Sequence, residues 1–143
     1  MDLNEAIKIA VLAHSGQLDK GGNPYILHPL WIMHKVRHLG TKYMIVAVLH
    51  DVVEDANINF DSLIDSGFDF EIIEALKLLT HTKNVDYQDY ITRLALNPIS
   101  REVKLRDLEH NSKITRLNGL REKDFARLVK YQKSYQYLKE FKE

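Results

Sequence analysis

Between Tyr43 and Lys77 the chain carries no Lys or Arg. The front of that span, Met44-Ile45-Val46-Ala47-Val48-Leu49, is apolar on every side and runs straight into His50-Asp51-Val52-Val53-Glu54-Asp55. A helix that is apolar all round belongs in the interior, so the reading is a central helix over residues 44–55 with an imidazole and three carboxylates in its C-terminal half. On such a helix His50 and Glu54 lie one turn apart, and so do Asp51 and Asp55, which makes two adjacent rows. Carboxylates crowded together in apolar company repel one another and lose their hydration. They require a cation, and no basic residue lies close in sequence to supply one.

The rest of the chain narrows what that cation can be. There is no cysteine, so thiolate zinc sites and cysteine nucleophiles are excluded, and histidine and carboxylate remain as metal ligands. Lys plus Arg number 20 and Asp plus Glu number 20, so no overall basic field points to a nucleic-acid polymer or an anionic membrane. No apolar run approaches the roughly 20 residues needed to span a bilayer, and the N-terminal residues show no basic-then-apolar leader pattern, which makes cytoplasmic residence the expectation. With 143 residues and no repeat, low-complexity tract or Pro/Gly/Ser linker, one domain over residues 1–143 is expected.

Helical periodicity recurs throughout. Asp2 with Glu5 three residues on reads as a capping box, and Leu3, Ala6, Ile7, Ala10 and Val11 then fall on one face up to Ala13-His14. Gly16, Gly21, Gly22 and Pro24 mark a loop, and Pro29 suits the first turn of a second helix, with His28 at its start. After the central helix, shorter helices are expected over 60–66, 69–79 and 87–96. Another runs from Ser100 to Asn111 with Val103, Leu105 and Leu108 inward, and a long charged helix begins near Phe125. No period-2 strand pattern stands out, so the class is all-α, a single helical bundle.

Individual polar residues weigh less than their company. His28, read alone, is a cap or a hydrogen-bonded turn residue. Asp107 and Asn111 share a helix face at i,i+4, while Glu109 and His110 read as solvated surface. Arg101, Lys104, Arg106 and Lys113, with Lys20 in the glycine loop, read as a solvated face or, more sharply, as a phosphate clamp beside a metal. His34 and His38 lack a third ligand at useful spacing, His81 lies in a loop-like stretch, and His14 fits a residue that ties down the glycine loop by hydrogen bonds.

Four stretches in order carry more than any one of them: Ala13-His14-Ser15-Gly16-Gln17, Gly22-Asn23-Pro24-Tyr25-Ile26-Leu27-His28-Pro29, Leu49-His50-Asp51-Val52-Val53-Glu54-Asp55, and Val103-Lys104-Leu105-Arg106-Asp107 with Asn111. Together they resemble the HD-superfamily hydrolase domain of the RelA/SpoT proteins, above all its stand-alone form, the small alarmone hydrolases, over roughly the first three quarters of the chain. The resemblance implies an all-helical HD-type fold holding one divalent ion, usually Mn²⁺, with Fe²⁺ or another transition ion as the alternative, at His28, His50, Asp51 and Asp107. It implies that Glu54 and Asp55 orient and deprotonate the attacking water, and that Lys20 and Asn111 contact the nucleotide. The implied reaction is removal of pyrophosphate from the 3′ position of guanosine 3′,5′-bis(diphosphate). The implied partner is a small-molecule nucleotide, with no nucleic-acid polymer and no membrane.

Departures from the family pattern fall in substrate recognition: Asp19 stands where the family has an arginine able to stack on the base, and Ile114 where it often has a threonine. Two other readings stay open beside the leading one. One is a phosphohydrolase of the same type acting on another nucleotide, and the other is a non-catalytic nucleotide-binding module, against which the retention of every metal-ligand position argues.

Overall fold

The computed structural model describes residues 2–55 and 58–143. Nine α-helices follow one another among them: α1 (Leu3–Ala13), α2 (Leu27–Lys35), α3 (Thr41–Leu49), α4 (Val52–Asp55), α5 (Phe60–Asp65), α6 (Phe70–Leu79), α7 (Tyr87–Leu94), α8 (Pro98–Asn111) and α9 (Glu122–Glu140). Two 3-10 turns, Arg37–Leu39 and Ile114–Arg116, lie between them. The only β pairing among the described residues is a single bridge between Leu18 and Pro24 in the glycine loop. The all-α expectation holds.

Helix starts follow from their caps. Asp2 accepts from the Glu5 amide at 3.0 Å to begin α1, Asn59 does the same for Ser62 at 2.8 Å to begin α5, and Asn97 accepts from Ile99 and Ser100 at the head of α8, with Pro98 at the first helical position. In each case a side-chain oxygen satisfies amides that the helix itself leaves unpaired. The final helix begins three residues earlier than its apolar pattern foretold, at Glu122. The Asp124 carboxylate accepts from the Arg121 amide at 2.8 Å and carries the helix start back beyond Phe125.

The centre of the molecule is α3. Ile45, Val46, Ala47, Val48 and Leu49 are all buried, which is why its sequence shows no polar face, and α1, α2, α6 and α8 pack around it. Ile32 from α2, Leu76 from α6, Ile91 and Leu94 from α7, and Leu108 from α8 complete the core, each fully buried. Removal of a side chain of that size from water contributes about 1.5–3 kcal/mol. The last helix packs one face inward through Ser134 and Leu138, with Tyr131, Tyr135 and Phe141 against the core, so it packs on its own domain. No helix among the described residues is long and apolar enough to cross a membrane.

One expected element divides. The central helix over 44–55 is interrupted at His50-Asp51, leaving α3 and the four-residue α4. At the break the Ala47 carbonyl, which a continuous helix would reserve for the Asp51 amide, is taken by His50 instead, by its Nδ1 at 2.7 Å and its backbone amide at 3.5 Å. Beyond the break Asp55 still donates its amide to Asp51 at 2.9 Å, so His50 and Asp51 sit at a joint between two helical segments.

Candidate metal centre and nucleotide cleft

Three regions far apart in sequence meet at this joint. His28 arrives on the first turn of α2, His50 and Asp51 on the α3–α4 junction, and Asp107 on α8. His28 Nε2 lies 2.8 Å from Asp107 Oδ1 and 4.0 Å from Asp51 Oδ2. His50 Nε2 lies 2.9 Å from Asp51 Oδ2 and 3.5 Å from Asp107 Oδ1. Ligand atoms of His28, His50 and Asp107 fall within 4.8 Å of one another, and all three residues are buried.

The donor set fits a divalent cation, and His50 supplies the test. With Nδ1 donating to the Ala47 carbonyl, a neutral ring has only a lone pair at Nε2. That atom is buried without a hydrogen-bond partner, and the nearby Asp51 oxygen is placed in a geometry that makes none. Nε2 lies so close to two carboxylates that positive charge belongs there, either a proton, since Asp51 and Asp107 raise the His50 pKa well above its ordinary value against burial, or a cation. Two imidazoles with two carboxylates form a shell suited to a transition ion. His28, His50, Asp51 and Asp107 are the residues that would hold it.

Charge in the centre is arranged around Asp107. Burial would raise its carboxyl, but the Lys104 ammonium, 2.8 Å from Oδ2, and the neighbouring imidazoles of His28 and His50 hold it well below the usual carboxylate range. Burial also opposes the charge on Lys104, and Asp107 overrides it. Asp51 likewise is lowered by His50 against its burial, and its Oδ2 accepts from the Tyr25 hydroxyl. Glu54 and Asp55 behave oppositely. Burial and the Asp51 charge push both carboxyls up, in Glu54 against the His81 amide, which donates to its Oε1 at 2.5 Å. The two acids also face different ways: Asp55 borders the open cleft and accepts from Gln17 Nε2 at 3.4 Å, while Glu54 is tethered to the loop after α6.

Beside the centre opens a cleft of about 340 Å³ between the glycine loop, the end of α8 and the first turns of α9. Lys20, Lys113, Arg116 and Arg127 line it together with Asp124, which pairs with Arg127, and Asn111 and Tyr25 lie on the side of the metal cluster. Asn111 donates to Asp107 Oδ1 at 3.0 Å and accepts from Arg116 at 3.3 Å, so one amide links the cluster to the cleft. Asp19 does not stand as a bare anion against the cleft. Its Oδ1 accepts from the Gly21 and Asn23 amides at 2.9 Å, and its Oδ2 pairs with Arg116 at 3.4 Å. Where a substitution at Asp19 removes one guanidinium from the loop, Arg116 brings another to the same wall. Ile114 lies half-exposed on the 3-10 turn and outside the cleft lining.

The candidate residues thus gather at one place, with some reassignment. Arg101, Lys104 and Arg106 leave the proposed clamp: none of them lines the cleft, and they pair instead with Glu143 at 3.0 Å, with Asp107 at 2.8 Å and with Glu109 at 2.5 Å. His110 is corrected from surface to interior. It is buried against Trp31 and lies 2.7 Å from His28, because α8 is covered on that side by α2. His14 ties the glycine loop as expected, through Gln17 Oε1 at 2.8 Å; His34 and His38 are exposed. Sequence reasoning gave no role to Tyr25, Arg116 or Arg127. Tyr25 alone left a signal, since it stands one helical turn before His28.

Fold and site define an all-helical protein with a buried centre of two imidazoles and two carboxylates at the edge of a cation-lined cleft. No family model matches the chain. It is 35% identical over 78 residues, 53% of its length, to the guanosine-3′,5′-bis(diphosphate) 3′-pyrophosphohydrolase of Borreliella burgdorferi. It is 42% identical over 55 residues, 37% of its length, to the bifunctional (p)ppGpp synthase/hydrolase RelA of Mycobacterium tuberculosis. The chain spans 12% and 8% of the length of these two relatives. A solved structure described as a metazoan ortholog of SpoT that hydrolyzes ppGpp superposes with a TM-score of 0.78 at 21% identity, over 96% of this chain and 85% of that one. The chain therefore shares the helical fold of that solved structure, and over part of its length its sequence is similar to the (p)ppGpp hydrolases.

Proposed function

We propose that the chain is a divalent-metal-dependent phosphohydrolase of one domain that releases pyrophosphate from the 3′ position of guanosine 3′,5′-bis(diphosphate). The observation that carries this reading is the convergence of His28, His50, Asp51 and Asp107 beside a cleft whose walls hold Lys20, Lys113, Arg116 and Arg127. The names of the relatives and of the structural neighbour support the substrate. Mn²⁺ is the proposed ion, on the strength of the mixed imidazole and carboxylate shell. A cytoplasmic setting accompanies a nucleotide substrate.

When bound, the ion supplies a Lewis acid for a phosphoryl oxygen and lowers the pKa of a coordinated water. The protein's own groups do the rest. In this reading Asp55, which borders the cleft with its carboxyl raised, accepts a proton from the attacking water. Glu54, raised as well and fixed by the His81 amide, helps to orient that water. Water oxygen bonds to the phosphorus attached to the ribose 3′ oxygen, that phosphorus–oxygen bond breaks, and the 3′ oxygen takes up a proton as pyrophosphate leaves. Lys20, Arg116 and Arg127 neutralise phosphate oxygens beyond the reach of the metal, and Asn111 holds the nucleotide where it meets Asp107.

The test is turnover of the purified chain with Mn²⁺ against a nucleotide panel. Pyrophosphate from the guanosine tetraphosphate is expected, and Asp51→Ala is expected to abolish both metal content and turnover. Phosphate released from a different nucleotide, with none from the tetraphosphate, would shift the assignment to another substrate. Turnover that survives without metal would overturn the mechanism.

A further inference from the structure

His110 lies outside the four ligand positions and outside the cleft lining, yet it is buried and fixed on two sides. Its ring faces Trp31 at 4.2 Å between centroids and 17° between planes, a stacked pair. Toward His28 the arrangement is different in kind. The planes are within 10° and the centroids 5.0 Å apart, but Nδ1 of one ring is 2.7 Å from Nδ1 of the other. Two ring faces cannot approach to 2.7 Å, so these rings meet edge to edge, almost in one plane. In that geometry the lone pair of one nitrogen points along the N–H of the other, and a single proton must lie between them.

Which ring carries the proton decides what His28 can do. If His110 donated it, the remaining proton of a neutral His28 would sit on Nε2, the atom 2.8 Å from Asp107 and 4.0 Å from Asp51, and that nitrogen would have no lone pair for a cation. If His28 donates it, Nε2 is left with its lone pair directed into the cluster. The structure provides the same device at His50, whose Nδ1 is engaged by the Ala47 carbonyl. A metal-bound histidine depends on such an outer partner for its tautomer and its orientation.

We propose that His110 is a positioning residue of the metal centre: its Nδ1 accepts the Nδ1 proton of His28, fixes the tautomer of that ring and leaves His28 Nε2 free to bind the cation. The inference rests on the metal reading given under Proposed function. Trp31 has a part in it, because stacking holds the His110 ring in the plane of His28.

Two substitutions separate the hydrogen bond from the packing. His110→Phe keeps an aromatic ring against Trp31 and loses the acceptor; His110→Asn loses the ring and keeps an oxygen near the place of Nδ1. Mn²⁺ titration of the metal-free full-length chain is expected to show binding weakened by about 10- to 100-fold in His110→Phe and largely restored in His110→Asn. In the unaltered protein loaded with Zn²⁺, two-bond ¹H–¹⁵N correlations should show His28 protonated at Nδ1 and His110 protonated at Nε2. Equal affinity of His110→Phe and the unaltered protein, an Asn variant as weak as the Phe variant, or a His28 ring bare at Nδ1 would each overturn the proposal. The spectrum of the unaltered protein decides the matter even if both variants fail to fold. Binding of neither Mn²⁺ nor Zn²⁺ by the unaltered chain would bring down the metal reading itself.

Discussion

Burial, reinforced by the nearby charges of Arg116 and Lys113, brings the His110 imidazole down to about 3. An unfolded chain therefore takes up a proton at this residue below about 6.5 that the folded chain refuses until about 3, and the folded state loses stability as the pH falls through that window. In metal-free protein the midpoint of thermal unfolding should drop between pH 7 and pH 4, and His110→Phe should flatten that dependence. An unaltered slope in the variant would assign the acid sensitivity to the carboxylates instead. At this scale the sequence was an uneven guide. His28, His50, Asp51 and Asp107 could be picked out because each belongs to a recognisable motif. His110 could not, because what distinguishes it from a solvated histidine is the helix α2 that covers it.

At the scale of elements, the glycine loop is held by close backbone approach. A Cβ on Gly21 would stand 2.1 Å from the Arg116 carbonyl oxygen, so Gly21→Ala must push the loop and the 3-10 turn Ile114–Arg116 apart. The expected loss is about 1–3 kcal/mol in thermal unfolding, by the mechanism of an overpacked contact. Nucleotide affinity should fall with it, since Lys20 and Arg116 border the same cleft. Metal content should stay unchanged, because no ligand lies on either segment; a variant that also lost its metal would contradict the division between cleft and centre. Helix existence was legible almost everywhere, as caps such as Asp2, Asn59 and Asn97 and the apolar spacing of α1 and α6 are local properties. The break at His50 was not, since there His50 takes the Ala47 carbonyl once the α3–α4 segment is buried.

Over the whole molecule, a cation at this centre would tie α2, the α3–α4 joint and α8 together, elements contributed by residues 28, 50, 51 and 107. A ligand that binds only the folded state at about a hundred times its dissociation constant contributes about 2.7 kcal/mol. For a chain of this size that corresponds to a rise of roughly 5–10 °C in the unfolding midpoint. Mn²⁺ should produce such a rise, a chelator should remove it, and Asp51→Ala should show none. The same rise in the Asp51 variant would place the stabilising ion elsewhere.

The sequence by itself determined the helical class and the buried central segment, because helical periodicity, capping and an apolar run with carboxylates are written into neighbouring residues, while the four proposed ligand positions came from the family resemblance of its motifs. Tertiary structure alone decided which cations face the cleft, that Asp19 is neutralised by Arg116, and that His110 stands behind His28. Those outcomes depend on contacts between segments about 80 to 100 residues apart, and only the packing of the helices brings them within hydrogen-bonding distance.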